Sequence, residues 1–243
     1  MKPETHTVND ALNNQRPFLK WAGGKYKLAN LIKTTIPSGK RLIEPFVGSG
    51  AIFLNTDYKR YTLNDINKDL INVFKYLKRE KVDFIDYCRT FFTEKSNTKP
   101  VFLSNRDPFN TTEDKRLKAA LFIYLNRHAF NGLIRYNQSG EFNTSFGSYI
   151  RPYFPYKEML NFSKKVQSAK LMCQDFSDVM RQAVPGDVIY CDPPYVPLSG
   201  TSNFTSYYST GFCLAKQQAL VSLAKTLANK GIPVIISNHD TQV

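Results

Sequence analysis

Residues 41–50 read Arg-Leu-Ile-Glu-Pro-Phe-Val-Gly-Ser-Gly, an apolar run that ends in an acid and a proline before a glycine turn. Residues 41–45 predict a short strand, and the glycines let the backbone approach a ligand at a helix N-terminus. Residues 61–65 predict a second strand, and residues 67–79 have the apolar spacing of a helix. Two strand–helix units in succession predict a parallel, doubly wound α/β sheet.

The alternation stops after this region and returns near the C-terminus. Three further strands are predicted over residues 169–173, 188–191 and 232–237, with a helix over residues 214–228. The intervening stretch is rich in aromatic, Asn and basic residues. We therefore expect a sheet domain split by an inserted module, with this division: a mobile tail (residues 1–16), the first part of the sheet domain (17–80), the insert (81–157) and its second part (158–243).

Composition points to a globular protein with a polyanionic partner. The 243 residues carry a formal net charge of +13, and most of the excess falls in the first two thirds of the chain. Between Asp114 and Glu158 the only acid is Glu141, against seven Lys and Arg residues. Nucleic acid is the commonest partner of such a surface, and a basic surface that serves only solubility is the alternative.

The sequence gives no support for a membrane protein, a secreted protein or a metal-binding protein. No apolar run approaches the roughly 20 residues that span a bilayer, and the polar N-terminus does not resemble a secretory signal. The four cysteines are far apart, and the three histidines do not complete a metal-binding spacing. We expect no metal, no membrane association and a cytoplasmic protein with reduced thiols.

The tetrapeptide Asp192-Pro193-Pro194-Tyr195 follows a predicted buried strand and forms a rigid bend. It presents a carboxylate, a backbone carbonyl and an aromatic face at the edge where open α/β sheets bind ligands. Two acceptors and a stacking ring suit a flat ring that bears an amine. An ordinary turn with an exposed Asp is the alternative.

Two further motifs suit a nucleoside cofactor. An acid, Asp65, ends the second predicted strand, where it suits the two hydroxyls of a ribose, although a plain turn fits the glycine stretch equally well. The stretch Lys20-Trp21-Ala22-Gly23-Gly24-Lys25 does not have phosphate-loop spacing. We expect Lys25 to contact the carboxylate-bearing tail of a cofactor, and Trp21 either to join it or to lie in the core.

The insert contains a candidate base-reading segment. Residues 124–137 interleave Arg, Asn and aromatic side chains, and the turn signal at residues 137–140 predicts a hairpin that begins near Arg135. Such side chains on a projecting hairpin suit hydrogen bonds to base edges and insertion into a base stack. A structural loop packed by its own aromatic residues is the alternative.

Taken together, the motifs resemble the Dam-type DNA adenine-N6 methyltransferases, which use S-adenosylmethionine and methylate adenine in GATC. The likeness runs in the same order from Pro17 almost to the end of the chain. It is carried by residues 18–25, 44–48, 53–57, 65–67, 124–127, 131–133, 135–137, 140–143, 152–155, 190–195, 203–205 and 236–241.

The resemblance implies a Rossmann-like methyltransferase fold with a mostly parallel sheet and an inserted target-recognition domain. The family continues past residues 238–241 with a last helix and a terminal strand pair, so we expect the C-terminal strands to be missing from this chain. It also implies base flipping of the target adenine in duplex DNA, with a protein that acts as a monomer.

Site residues follow from the matching positions. The implied catalytic residues are Asp192, Pro193, Pro194 and Tyr195. The implied cofactor-binding residues are Trp21, Lys25, Glu44, Phe46, Gly48, Asp65, Asp175, Phe176 and Asp192, with Asp65 on the ribose and Asp175 and Phe176 near the adenine. The implied DNA-binding residues are Lys20, Asn126, Phe130, Asn131, Leu133, Arg135 and Asn137.

Two positions depart from the family pattern, so the preferred sequence could have drifted. Phe130 replaces the usual intercalating Tyr, and Ser145 stands where a Pro often contacts the site's edge. Related tetrapeptides also serve methylation of cytosine N4, of RNA adenine or of protein amides. A truncated relative that binds DNA or cofactor without turnover is a further alternative, and the basic insert favours a DNA methyltransferase.

Overall fold

The computed structural model describes residues 14–150, 152–194 and 212–238. Most of the predicted tail, Tyr195 of the predicted catalytic set and residues 239–243 lie outside these ranges. No helix within them is long and apolar enough to cross a membrane.

A five-stranded parallel sheet forms the centre of the described part of the chain. Its spatial order is β3-β2-β1-β4-β5, with each neighbouring pair parallel. β4 is buried along its whole length, as expected for a central parallel strand with both faces covered. The predicted doubly wound sheet is therefore confirmed, with these bounds: β1 Arg41–Glu44, β2 Arg60–Asn64, β3 Ala169–Met172, β4 Asp187–Cys191 and β5 Val234–Ile236.

Helices cover both faces of the sheet and build the insert. The predicted helices over residues 67–79 and 214–228 are confirmed within about two residues, the usual scatter of helix ends. Their bounds are α1 Ala29–Thr35, α2 Ala51–Asn55, α3 Lys68–Glu80, α4 Val82–Arg89, α5 Lys99–Thr111, α6 Lys115–His128, α7 Tyr156–Lys165, α8 Phe176–Met180 and α9 Leu214–Asn229.

Side-chain caps fix three of these helices at the positions that matter for the site. Asn67 accepts hydrogen bonds from the backbone of α3, Asp114 from α6 and Asp175 from α8. Each cap satisfies N–H groups that have no partner inside the helix. The cap at Asn67 also determines where the chain turns away from the sheet after β2.

The insert shares its hydrophobic core with one face of the sheet. Phe84, Phe102 and Phe122 from the insert belong to the same cluster of buried residues as Leu63 and Phe74 beside the sheet. A second, smaller cluster fills the other face beneath α8 and α9. The boundary predicted after residue 80 coincides with the end of α3, but no break in packing accompanies it.

The predicted hairpin near Arg135 is present. Tyr136 and Phe142 form an antiparallel bridge, and the Gly140 N–H donates to the carbonyl of Asn137 at 3.0 Å. Gly140 has φ of +78°, a backbone conformation that glycine adopts without strain. Phe142 of the hairpin is buried in the core, whereas Arg135 at its base is exposed.

Candidate active site

The strand order reverses between β1 and β4, and the predicted acids lie at that point. Glu44 is the last residue of β1, and Asp192 directly follows β4. Open α/β sheets bind ligands in the crevice outside the carboxyl ends of two such strands. The topology therefore brings Glu44 and Asp192 to the same edge of the sheet.

Asp192 forms an ion pair with Lys25 across this crevice. The Nζ of Lys25 lies 2.8 Å from Oδ1 of Asp192, and both side chains are largely buried, 10% and 20% exposed. The same Nζ donates to the carbonyl of Gly23 at 2.7 Å. A partly buried pair of this kind is oriented more tightly than a surface pair, so Lys25 fixes the carboxylate at the strand end.

The loop before Lys25 meets the glycine turn after β1. Gly24 donates its N–H to the carbonyl of Trp21 at 3.1 Å, which closes a tight turn. The Trp21 indole lies against Gly48, where a Cβ would come within 2.7 Å of its Nε1. Gly48 also has φ of +49°, so both its conformation and its contact disfavour a side chain.

Asp65 is held by the backbone on both sides of the crevice. Its Oδ2 accepts the N–H of Gly48 at 3.0 Å, and its Oδ1 accepts the N–H of Asn67 at 2.9 Å. Burial raises the pKa of Asp65 to about 6, and the backbone hydrogen bonds oppose that rise. Its carboxylate joins the turn after β1 to the turn after β2.

Glu44 is a buried carboxyl with an unmatched oxygen. The side chain is 2% exposed, and its Oε1 has no hydrogen-bond partner among the described residues. Burial raises the pKa of Glu44 to about 8, and the negative charge of Asp192 adds to the rise. An unsatisfied buried acceptor is costly, and such groups commonly mark a ligand site.

An aromatic cluster forms one wall of the site. Phe46 stacks on Phe176 with ring centroids 5.3 Å apart, and Phe212 meets both rings edge-on. Asp175 caps α8 through Ser177 and lies 3.4 Å from the Nζ of Lys216. Phe46 and the predicted adenine-side residues Asp175 and Phe176 are therefore close together, next to the acids of the crevice.

Sequence reasoning missed Asn64, which joins three of the strand ends. Its side-chain amide donates to the carbonyls of Pro45 and Gln174 at 2.9 and 3.1 Å and accepts the N–H of Gln174 at 2.9 Å. It is 1% exposed. The available signal was a side-chain amide at the last position of a strand that is buried after its first residue.

The catalytic tetrapeptide is described as far as Pro194. Pro193 is buried and Pro194 is exposed, so the bend after β4 turns from the core to the surface within these residues. Tyr195 lies outside the described residues, and its stacking role stays a prediction. In the described part of the chain, no group of three or more His, Cys, Asp or Glu side chains could hold a metal ion.

Lys20 lies where the site meets the insert. Its Nζ is 3.7 Å from the ring centroid of Tyr149, and its aliphatic stem packs so closely on Gly132 that a Cβ there would come within 2.4 Å. Since Lys20 precedes Trp21, the loop that contacts Gly48 also contacts the insert. The predicted cofactor and DNA residues are thereby connected.

Asn126 does not fit its predicted role as a direct DNA contact. It is fully buried, and its side-chain amide bonds the backbone N–H and carbonyl of Lys20 and the carbonyl of Gly132 at 2.8–2.9 Å. A side chain with no exposed surface and three backbone partners cannot reach a base edge. Asn126 instead fixes Lys20 against the insert, which corrects the sequence prediction.

The other predicted DNA residues lie at or near the surface of the insert. Phe130 is 52% exposed, Asn131 is exposed with φ of +52°, and Leu133 is half-buried. Arg135 is exposed and donates through Nε to Oδ1 of Asn143 at 2.7 Å. The Asn137 side chain donates to the Glu141 carboxylate and accepts the Glu141 backbone N–H, so these two hydrogen bonds within the hairpin orient it.

Comparison with known proteins agrees with this geometry. Residues 21–243 match the family described as D12 class N6 adenine-specific DNA methyltransferase. The chain is 49% identical over 233 residues to the "DNA adenine methylase" of Serratia marcescens, covering 96% of this chain and 86% of that protein. It is 47% identical over 232 residues to that of Escherichia coli strain K12, covering 96% and 84%.

A third relative gives the same result. The chain is 49% identical over 231 residues to the "DNA adenine methylase" of Vibrio cholerae serotype O1, strain ATCC 39541, covering 95% of this chain and 83% of that protein. The family predicted from the motifs is thus confirmed, together with the reaction that defines it. With the switch-point acids in place and the match extending from Trp21 onward, the chain belongs to the D12 class of N6 adenine-specific DNA methyltransferases.

Proposed function

We propose that this enzyme transfers a methyl group from S-adenosylmethionine to N6 of a flipped adenine in duplex DNA, at GATC. The observation that carries the proposal is the Lys25–Asp192 ion pair at the point where the strand order reverses. It fixes an acceptor carboxylate beside a backbone carbonyl, that of Pro193, in a crevice that also contains two further buried acids.

The residues of the crevice fit this cofactor. A buried carboxylate, Asp65, suits two ribose hydroxyls, and the unpartnered Oε1 of Glu44 suits the positive charge of the amino acid portion. Phe46 and Phe176 supply an apolar wall for an adenine ring. When bound, S-adenosylmethionine supplies an electrophilic methyl group. The chain's residues orient it and exclude water.

Asp192 and Pro193 activate the acceptor nitrogen. The N6 lone pair of adenine is delocalised into its ring, so the nitrogen is a poor nucleophile. Hydrogen bonds from its N–H groups to the Asp192 carboxylate and the Pro193 carbonyl favour a tetrahedral nitrogen whose lone pair points at the methyl donor. Proximity and preorganised acceptors supply most of the acceleration, and proton loss follows transfer.

The insert recognises the DNA sequence. An adenine inside a duplex cannot reach the crevice, so it must be flipped out, and Phe130 is exposed enough to enter the vacated stack. Arg135 is the candidate for a bidentate contact to guanine. The excess of basic side chains binds the phosphates of DNA, which makes the affinity for DNA depend on salt concentration. We infer a monomer that acts on DNA in the cytoplasm.

The experiment is methyl transfer to matched substrates. Duplexes that contain GATC, duplexes with one altered base pair and an RNA of the same sequence are incubated with labelled cofactor, and the products are digested for mass spectrometry. We expect N6-methyladenine in the GATC duplex only. N4-methylcytosine, or preferred transfer to RNA, would contradict the proposal.

A second measurement addresses the alternative of a binding protein without turnover. Cofactor affinity is measured by titration, and a single-turnover reaction follows with enzyme in excess over duplex. Cofactor and DNA binding without any methylated product would reject the proposed reaction for this chain and leave its ancestry unchanged.

A further inference from the structure

A side-chain hydrogen bond connects the hairpin of the insert to α3, the helix that follows β2. The hydroxyl of Tyr136 donates to Oδ2 of Asp69 at 2.8 Å, although the two residues are 67 positions apart. Asp69 lies in the first turn of α3 and is 6% exposed. A hydrogen bond to a buried carboxylate is short, directional and stronger than one between neutral groups.

On the helix side, Asp69 is tied to the crevice through Asn67. The N–H of Asp69 donates to Oδ1 of Asn67 at 3.0 Å, and the N–H of Asn67 donates to Oδ1 of Asp65 at 2.9 Å. These three residues therefore form one hydrogen-bonded unit at the end of β2. A shift of Asp69 would require a shift of the residue that is proposed to bind the ribose.

On the hairpin side, Tyr136 directly follows Arg135. The N–H of Asn143 donates to the carbonyl of Arg135 at 3.0 Å, and the Arg135 side chain bonds the Asn143 amide. Asn110 of α5 binds the backbone of Phe142 on the other strand, at 2.8 and 3.2 Å. Asn110 thus fixes the hairpin within the insert, whereas Tyr136 fixes it to α3.

We propose that Tyr136 is a positioning residue for sequence recognition, which places Arg135 relative to the crevice through its hydrogen bond to Asp69. When the hydrogen bond is made, the hairpin is held at one position relative to the sheet edge. The guanidinium of Arg135 then contacts its base pair when the target adenine reaches Asp192. Without it, the hairpin keeps its fold but loses this alignment. Discrimination falls, whereas chemistry on the preferred site persists.

The inference rests on the proposed function of Arg135, so the test separates the two. The preferred sequence is first determined by selecting, from a pool of randomised duplexes, those that the wild-type protein binds. Methyl transfer and binding affinity are then both measured on that duplex and on duplexes with one altered base pair. A chain that binds selectively without transferring a methyl group would reject the proposed reaction and still test Tyr136.

Tyr136→Phe is the main variant, and Tyr153→Phe is its matched control. Tyr153 is also in the insert and donates to a carboxylate, Glu158, at 3.1 Å, but that pair is exposed. We expect Tyr136→Phe to lose about five- to tenfold of discrimination, a fraction of a direct base contact, with kcat on the preferred duplex within about twofold. Tyr153→Phe should retain both the discrimination and the kcat of the wild type.

Variants of the partner give an independent readout. Asp69→Asn retains an acceptor oxygen and should retain discrimination, whereas Asp69→Ala should lose it. The double variant that combines Asp69→Ala with Tyr136→Phe should lose no more discrimination than either single variant, because both substitutions remove the same hydrogen bond. If Tyr136→Phe does not fold, the comparison of Asp69→Asn with Asp69→Ala replaces it. Unchanged discrimination, equal losses on all duplexes, or an equal loss in Tyr153→Phe would overturn the inference.

Discussion

The crevice and the recognition surface are built in opposite ways. In the crevice, Glu44, Asn64 and Asp65 are almost fully buried, and backbone groups of separate loops bond Asn64 and Asp65 directly. On the insert, Phe130 and Arg135 are exposed, and Arg135 is oriented by one neighbour, Asn143. Under the proposed function, buried groups hold the reacting parts in place, whereas DNA is read by exposed side chains that can change without disturbing the core.

The comparison predicts where substitutions act. In the crevice, a single change should alter cofactor binding, chemistry or stability, because the groups share partners. On the recognition surface, a change should alter the choice of sequence and little else. The following experiments would break or sharpen that contrast.

Asp192→Ala should give the largest effect. Loss of the acceptor carboxylate is expected to reduce single-turnover methyl transfer by at least about 100-fold, with DNA affinity largely retained. Asp178→Ala is the control, since Asp178 is exposed on α8 and pairs only with the surface residue Arg181 among the ion pairs described. Near-normal transfer by Asp192→Ala would remove Asp192 from the mechanism.

Arg135→Ala should change selectivity without stopping catalysis. Removing a bidentate guanine contact should relax discrimination at one base pair by about 10- to 100-fold. The ratio of kcat/KM on the preferred and altered duplexes measures this, with Arg181→Ala as an exposed arginine outside the insert. An equal loss on every duplex would identify Arg135 as a phosphate contact.

Gly48→Ala should weaken cofactor binding about tenfold, because strain at φ of +49° is combined with displacement of Trp21. Gly231→Ala is the matched control, since Gly231 has φ of +74° but nothing within 4 Å of a Cβ. Calorimetric titration with cofactor and thermal unfolding of both variants separate the two causes. If both variants bind cofactor equally well, the contact between Gly48 and Trp21 does not contribute to cofactor binding.

Glu44→Gln should stabilise the protein while weakening cofactor binding. The folded state holds the Glu44 proton up to a pKa of about 8, whereas the unfolded chain loses it near 4.5, so stability falls as pH rises between these values. His128, whose pKa burial lowers to about 4, gives the opposite slope below about 6.5. Asp65, with its pKa raised to about 6, gives the same slope as Glu44 but only below about that pH. Among these three groups, the window from about pH 6.5 to 8 therefore reports chiefly Glu44.

In that window the wild type should lose about 1–2 kcal/mol of unfolding free energy, and the Gln variant should lose less. Denaturant unfolding at several pH values is the measurement. Parallel curves for the two proteins would show that Glu44 is not the titrating group.

The sequence predicted what depends on local pattern. The strands at Glu44 and before Asp192, the glycine turn and the hairpin after Arg135 each have a signal within a few residues, and all are present. Their convergence followed from the rule that parallel strands end at the same edge. The helix α5 had no such signal, since Pro108 lies inside it and interrupts the pattern.

What could not be predicted depends on contacts between distant residues. Asn126 is 106 positions from Lys20, and nothing around it in the sequence shows that it is buried against the Lys20 backbone. Asn64 and Gln174 are 110 positions apart. The Asp69–Tyr136 bond likewise forms only because the insert packs on α3. Such positioning residues become visible only when the fold is known.

The shared core of the sheet and the insert has a consequence for engineering. Because Phe84, Phe102 and Phe122 pack in one cluster with Leu63 and Phe74, the insert cannot be cut out without opening a cavity beside the sheet. Exchanging whole inserts between related enzymes should therefore give insoluble hybrids. We expect new sequence preferences to be more accessible by replacing exposed hairpin residues one at a time, because such changes leave the shared core intact.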